Sequence, residues 1–242
     1  MIGPLIIIGI SVLGILIGSI IGVIRKPSEW TLMHMISFAG GTMLAVSFMD
    51  LIPESIKMSS VIICAVGIWT GAIIMLGLKK FVPHIHPRHY KKKHDKEFEV
   101  AAYFIFIGIF LHNFPEGMAV GISGLSNFKA SLVIALAIGI HNIPEGICTS
   151  APYFMVTKKR LESFLVSVST IIPTVLGFLL AYFLIPHLPL AVLGFLVSIT
   201  AGLMIYISCD ELIPLSCDER TNHSAIFSCI AGVLVVVLLG MI

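Results

Sequence analysis

Eight apolar stretches dominate this 242-residue chain and leave few choices of fold. They run roughly Ile2–Ile24, Thr31–Ile52, Val61–Leu78, Val100–Ser123, Ala130–Met155, Phe164–Leu184, Leu188–Ser208 and Ser224–Ile242. Each has about 18 residues or more, enough to cross a hydrocarbon core of ~30 Å as a helix. Continuous helices are expected there, because lipid satisfies no free backbone group. Hydrophobic residues make up 57% of the chain and charged residues only 12%, about half the usual globular share of charge. A soluble fold of this size has no interior large enough for that much apolar surface, so the lipid bilayer is the expected solvent. The net charge of +2 argues against a nucleic-acid partner. The Ile2–Ile24 stretch is too long for a signal-peptide core and is expected to stay as a spanning helix. Cys64, Cys148, Cys209, Cys217 and Cys229 form no C-x-x-C pair and read as small buried hydrophobes.

The basic residues orient the spans. Thirteen of the fifteen Lys and Arg fall in the odd-numbered connections: Arg25 and Lys26, then Lys79 to Lys96, then Lys158, Lys159 and Arg160, and Arg220. Only Lys57 and Lys129 fall in the even ones. The positive-inside bias puts both termini outside the cytoplasm, in agreement with an even number of spans. The expected fold is therefore an all-α polytopic membrane protein with eight transmembrane helices, residues 1–242 forming one transmembrane domain. Its 79–99 connection is a cytoplasmic His/Lys-rich loop.

Two internal repeats stand out. Gly41–Ser55 reads GTMLAVSFMDLIPES and Gly202–Ser216 reads GLMIYISCDELIPLS, so that Gly41, Met43, Ser47, Leu51, Ile52, Pro53 and Ser55 recur at a fixed offset of 161. HNFPEG at His112–Gly117 recurs as HNIPEG at His141–Gly146. Spans two and seven run in opposite directions, as do spans four and five. Both pairs thus imply an inverted repeat about an axis in the membrane plane, with a site near the midplane.

His112 and Glu116 lie four residues apart and share a helix face, and His141 and Glu145 repeat the arrangement. A carboxylate at bilayer depth costs at least ~2.5–3.5 kcal/mol on insertion scales. Glu116 and Glu145 are the only Asp, Glu, Lys or Arg in their stretches, so a cation must compensate them. Imidazole with carboxylate suits Zn2+ and its first-row neighbours. Pro115 and Pro144 each remove an N–H and are expected to kink their helices, while Asn113 and Asn142 add amide oxygens. Satisfied histidines and protonated glutamates would explain one such motif, but two at matched depth favour a functional site.

HNFPEG and HNIPEG, 29 residues apart, resemble the signature of the ZIP (Zrt-/Irt-like protein) family of divalent metal transporters, small bacterial type. The resemblance covers all eight spans. It implies a carrier in the bacterial plasma membrane with two inverted repeats, spans 1–3 and 6–8, around spans 4–5. It implies a main metal site of His112, Glu116, His141 and Glu145, joined by Met43 from span two. A second site would use Asn113 and Asn142 with the same glutamates. Many relatives place a Glu before a proline on span six. Ile172 precedes Pro173 here, so the second site is expected to lack a ligand. A sliding bundle and a homodimer are also implied.

Asp50 and Glu54 are candidates for an outer acidic mouth, and Asp210 and Glu211 for an inner one. Interfacial solvation explains all four about as well. His84, His86, His89 and His94 could hold zinc weakly on the 79–99 loop, although a solvated basic loop is the stronger reading. The expected function is transport of divalent transition metal into the cytoplasm, zinc first, with Fe2+, Mn2+ and Cd2+ as further cargo. The alternatives are an intramembrane metalloenzyme and a cation channel handling no transition metal.

Overall fold

The computed structural model describes residues 2–24, 28–81, 105–111, 113–114, 116–118, 120–121, 128–184, 188–217 and 223–240. Among these, every regular element is helical. The helices are α1 (Ile2–Ile24), α2 (Glu29–Val46), α3 (Ile52–Met58), α4 (Val61–Phe81), α5 (Phe128–Thr157), α6 (Arg160–Ser169), α7 (Ile171–Leu184), α8 (Leu190–Ile207), α9 (Ile213–Ser216) and α10 (Ser224–Leu239). The residues described between 105 and 121 are helical as well. Among the described residues, four continuous runs are long and apolar enough to cross a membrane: Leu5–Ile24, Glu29–Met58, Arg160–Phe183 and Leu190–Ser216. Val61–Gly77 and Ser224–Leu238 are shorter apolar helices.

The Gly41–Ser55 and Gly202–Ser216 repeats share a local distortion. Ser47–Leu51 and Ser208–Leu212 are π-helical turns, each leading into a short helix with a proline in its first turn. The cause is Pro53 in one copy and Pro214 in the other. A proline donates no hydrogen bond and its ring crowds the carbonyl four residues back. Widening the turn relieves the clash, and Ile52 N–H donates to the Ser47 carbonyl, as Ile213 N–H does to that of Ser208. The helical run therefore continues through Pro53 to Met58 instead of ending near Ile52.

The helices pack in close pairs: α1 against α5, α4 against α8, and α2 against α10. Small residues set these contacts. Gly41 of α2 faces the Cys229 backbone of α10, and Gly202 of α8 faces the Ile68 backbone of α4. A different core lies between the pairs. It is filled by side chains from α2, α4, α5, α8 and the 105–121 residues, among them Met33, Met43, Met75, Ile109, Ile147 and Met204.

Candidate metal site

Glu145 lies on α5 and is 1% exposed, while Glu116 is 6% exposed. Three residues before each glutamate stands a fully buried asparagine. Asn142 donates from Nδ2 to the Ser11 carbonyl of α1 at 3.1 Å. Asn113 donates from Nδ2 to the Thr170 carbonyl, at the α6–α7 junction, at 2.9 Å. Each amide nitrogen is thus committed to backbone. Among the described residues, neither Asn113 Oδ1 nor Asn142 Oδ1 accepts a hydrogen bond. A buried amide oxygen with no donor is costly, and a cation is one group that offsets that cost.

Close helix contact makes these bonds possible. A Cβ on Gly18 would collide with the Ile143 carbonyl, and one on Gly177 with the Phe114 carbonyl. Only glycine admits a backbone that near. The two contacts correspond: Ser11, Ile15 and Gly18 of α1 are spaced as are Thr170, Thr174 and Gly177. The Ile15 carbonyl approaches Gly146, and the Thr174 carbonyl approaches Gly117. A correspondence in spacing and contact, of α1 with the Thr170–Leu184 stretch, thus stands beside the two repeats visible in the sequence. Its only residue signal is a hydroxyl seven places before a glycine, too common in apolar sequence to be noticed.

Met43 is fully buried and shares one core with Ile109 and with Ile147 and Cys148, which directly follow the second motif. His112 and Pro115 lie outside the described residues, as does the side chain of His141, although α5 carries His141 in its helical backbone. Among the described residues no three His, Cys, Asp or Glu side chains converge on one point. α5 stays helical through both Pro144, where a kink is expected, and Pro152. The break on the apolar Arg160–Leu184 run falls at Thr170, three residues before Pro173.

Ile172 requires a correction. It is 54% exposed, on the outer face of α7, and its counterpart Leu13 on α1 is 52% exposed. Two residues on a helix differ by about 200°, so Thr170 and Thr174 face inward and are buried. Thr174 Oγ1 donates to the same Thr170 carbonyl that Asn113 uses, at 3.4 Å. Thr174, not Ile172, therefore stands beside the asparagine.

Three of the four outlying acids are exposed. Asp50 is exposed on the first π-turn, and Glu54 pairs with Lys57 at 3.3 Å on an exposed surface. Such a pair contributes no more than about 1 kcal/mol. Asp210 is exposed and Glu211 half-buried on the second π-turn. His84, His86, His89 and His94 lie outside the described residues.

Comparison with known proteins identifies the family. A family model described as ZIP zinc transporter matches residues 1–99 and 84–240. The zinc transporter ZupT of Escherichia coli O7:K1 (strain IAI39) is 32% identical over 197 residues, covering 78% of this chain and 76% of that protein. ZupT of Escherichia coli O1:K1 and of strain K12 match at the same identity and coverage. These relatives are transporters and not enzymes, which sets aside the intramembrane metalloenzyme. Buried motif carboxylates, paired asparagines, membrane-length helices and both matches lead to one assignment: the chain belongs to the ZIP zinc transporter family.

Proposed function

We propose that this protein carries Zn2+ across the plasma membrane into the cytoplasm, with Fe2+, Mn2+ and Cd2+ as weaker cargo. The metal binds near the midplane between His112, Glu116, His141, Glu145 and Met43. Two carboxylates neutralise one divalent ion, and imidazole and thioether complete its shell without adding charge. Asn113 and Asn142 flank a second, weaker position. Metal enters past Asp50 and Glu54 and leaves past Asp210 and Glu211. The domain has eight spans in two inverted repeats, both termini face outward, and two copies pair in the membrane.

The observation that supports this most directly is the pair of buried glutamates, each one turn from an asparagine whose nitrogen is tied and whose oxygen is open. The matched contacts of Gly18 with Ile143 and of Gly177 with Phe114 support the inverted repeat. Movement follows the division of the packing. Glycine-to-carbonyl contacts tie α1 to α5 and α7 to the 105–121 residues, and others tie α2 to α10 and α4 to α8. Flexible side chains fill the seam between the two groups. The first group slides against the second and takes the metal with it.

Zinc flux into proteoliposomes tests the site. Glu116→Ala and Glu145→Ala should each abolish flux while the protein still inserts. Normal transport by either variant removes that glutamate from the path. Competition among zinc, iron, manganese and cadmium in the same assay ranks the cargo.

A further inference from the structure

The proposed movement leaves one ligand behind. His112, Glu116, His141 and Glu145 ride on the group that slides, whereas Met43 belongs to α2, in the group that stays. Once the slide exceeds the reach of one side chain, the Met43 contact breaks. The metal then loses a donor unless the standing group offers another.

The longer repeat supplies one. At its fixed offset of 161, Met43 corresponds to Met204 and Ser47 to Ser208. Met204 lies on α8, in the same standing group, and is 2% exposed. Both methionines belong to the core that fills the seam. The two copies meet different parts of the sliding group. α2 packs against α5, where Cys148 Sγ lies 3.7 Å from the Met35 carbonyl. α8 meets the 105–121 residues, where a Cβ on Gly108 would crowd the Ile207 side chain. Met43 thus stands in the copy that faces the second motif's helix, and Met204 in the copy that faces the residues around the first.

The copies differ one turn further on. Ser47 Oγ donates to the Met43 carbonyl at 2.8 Å, a common way to satisfy a helical hydroxyl. Ser208 is fully buried as well, yet among the described residues its Oγ has no hydrogen-bond partner. A buried hydroxyl in that condition is costly until some group comes to it. Ser208 follows Met204 by four residues and shares its helix face, so a thioether and an open hydroxyl are offered together.

We propose that Met204, with Ser208 beside it, takes the place of Met43 when the sliding group crosses to its other position. The axis of an inverted repeat lies in the membrane plane and exchanges the two faces of the membrane. The contact that one copy makes in the state open to one face is then made by its counterpart in the state open to the other. A thioether suits the exchange. It is neutral, so it is released without moving charge, and it is soft, so Zn2+ and Cd2+ gain from it where Mn2+ does not. This rests on the reading that Met43 holds the metal and that the two halves are inverted.

Two readouts test it. Met204→Leu conserves volume and removes the sulfur. In proteoliposomes it should lower kcat/KM for Cd2+ about 10-fold, the smaller cost of disturbing a metal shell, and leave that for Mn2+ nearly unchanged. Met43→Leu should do the same, whereas lost packing alone would slow both metals alike. The second readout is the position of the sliding group, from the electron-spin distance between labels on Glu29→Cys and Lys158→Cys in a background without native cysteine. Both positions are exposed, one at the start of α2 and one just beyond α5. A grip weakened about 10-fold in one state shifts the loaded equilibrium about 10-fold towards the other. Met43→Leu and Met204→Leu should therefore move the zinc-loaded populations in opposite directions, and neither should move the metal-free ones.

The proposal is overturned if Met204→Leu slows Cd2+ and Mn2+ alike. It is also overturned if the loaded populations stay put or shift the same way as in Met43→Leu, or if an equal shift occurs without zinc. Should Met204→Leu fail to insert, Ser208→Ala decides the matter: it should shift the loaded populations opposite to Met43→Leu, and any other result refutes the exchange. Met43→Leu separates this from the site itself. An intact Cd2+ preference in that variant removes Met43 from the metal shell, and the exchange with it. If Met204→Leu alone is silent, Met43 keeps its place and only the exchange falls.

Discussion

Gly18→Ala is the smallest change that should disable this protein without touching a ligand. The new Cβ would fall well inside 3.0 Å of the Ile143 carbonyl, with the Gly146 Cα also at 3.0 Å. Both obstacles are backbone, so no rotamer change relieves them. Carbon and carbonyl oxygen settle at about 3.3–3.6 Å, so α1 and α5 must part by roughly 1 Å. Two effects oppose each other. Alanine favours a helix over glycine by about 0.8–1.0 kcal/mol, whereas overpacking costs about 1–3 kcal/mol. Parting also stretches the bond from Asn142 to Ser11, now 3.1 Å, past the length at which it counts as one. That loss adds about 1 kcal/mol, so destabilisation wins. Since Ile143 lies between Asn142 and Glu145, zinc uptake in proteoliposomes should fall about 100-fold, the usual cost of a 1 Å misplacement. Gly9→Ala is the internal control on the same helix. A Cβ there meets nothing within 4 Å, so its melting temperature should hold or rise and uptake should be unchanged. Wild-type uptake by Gly18→Ala, or equal damage from Gly9→Ala, would refute the argument.

Other expectations follow from the same structure. Thr174→Glu should set a carboxylate beside Asn113 and raise bound zinc from one towards two per chain, whereas Ile172→Glu should leave occupancy unchanged and cost about 2.5–3.5 kcal/mol of insertion; metal content after mild chelation separates them, and the reverse ranking would return Ile172 to the site. Membrane-impermeant labelling of single cysteines should reach position 129 but not position 92 in intact cells, and outside labelling at 92 would invert the topology. Replacing His84, His86, His89 and His94 should lower the uptake rate modestly and keep the metal order in competition assays; a changed order would make that loop a selecting site.

Much of the fold was legible because apolarity is a bulk property. The Ile2–Ile24 stretch is helical throughout, since no charge interrupts it. The sixth stretch is apolar from Phe164, but its helix begins at Arg160. Arg160 and Glu162 read as loop, yet Arg160 lies over the Phe154 ring and Glu162, in the first helical turn, pairs with the N-cap residue Lys159 at 2.8 Å. The second stretch runs on past Ile52 to Met58, because the π-turn that accommodates Pro53 is invisible to composition. In the site, Glu116, Glu145, Asn113 and Asn142 announced themselves as polar groups in apolar surroundings. Ser11 and Thr170 did not, because they contribute backbone carbonyls, which every residue has. Ile172 was misassigned by its neighbour Pro173, since adjacency in sequence says nothing about which way a helix faces.

The two π-turns also set a phase. Each holds one residue more per turn than an α-helix does, so everything beyond it is rotated by about 100° relative to an uninterrupted helix. That rotation aims Ser55 at α8, where its hydroxyl donates to the Gly194 carbonyl at 2.7 Å. Deleting Phe48, an exposed residue with no evident task of its own, would let the turn close into regular helix. The Ile52–Met58 tail would then swing round and Ser55 would leave Gly194. A single-codon deletion at a bland surface position would thus do more harm than most substitutions in the buried core, because what it removes is a rotation.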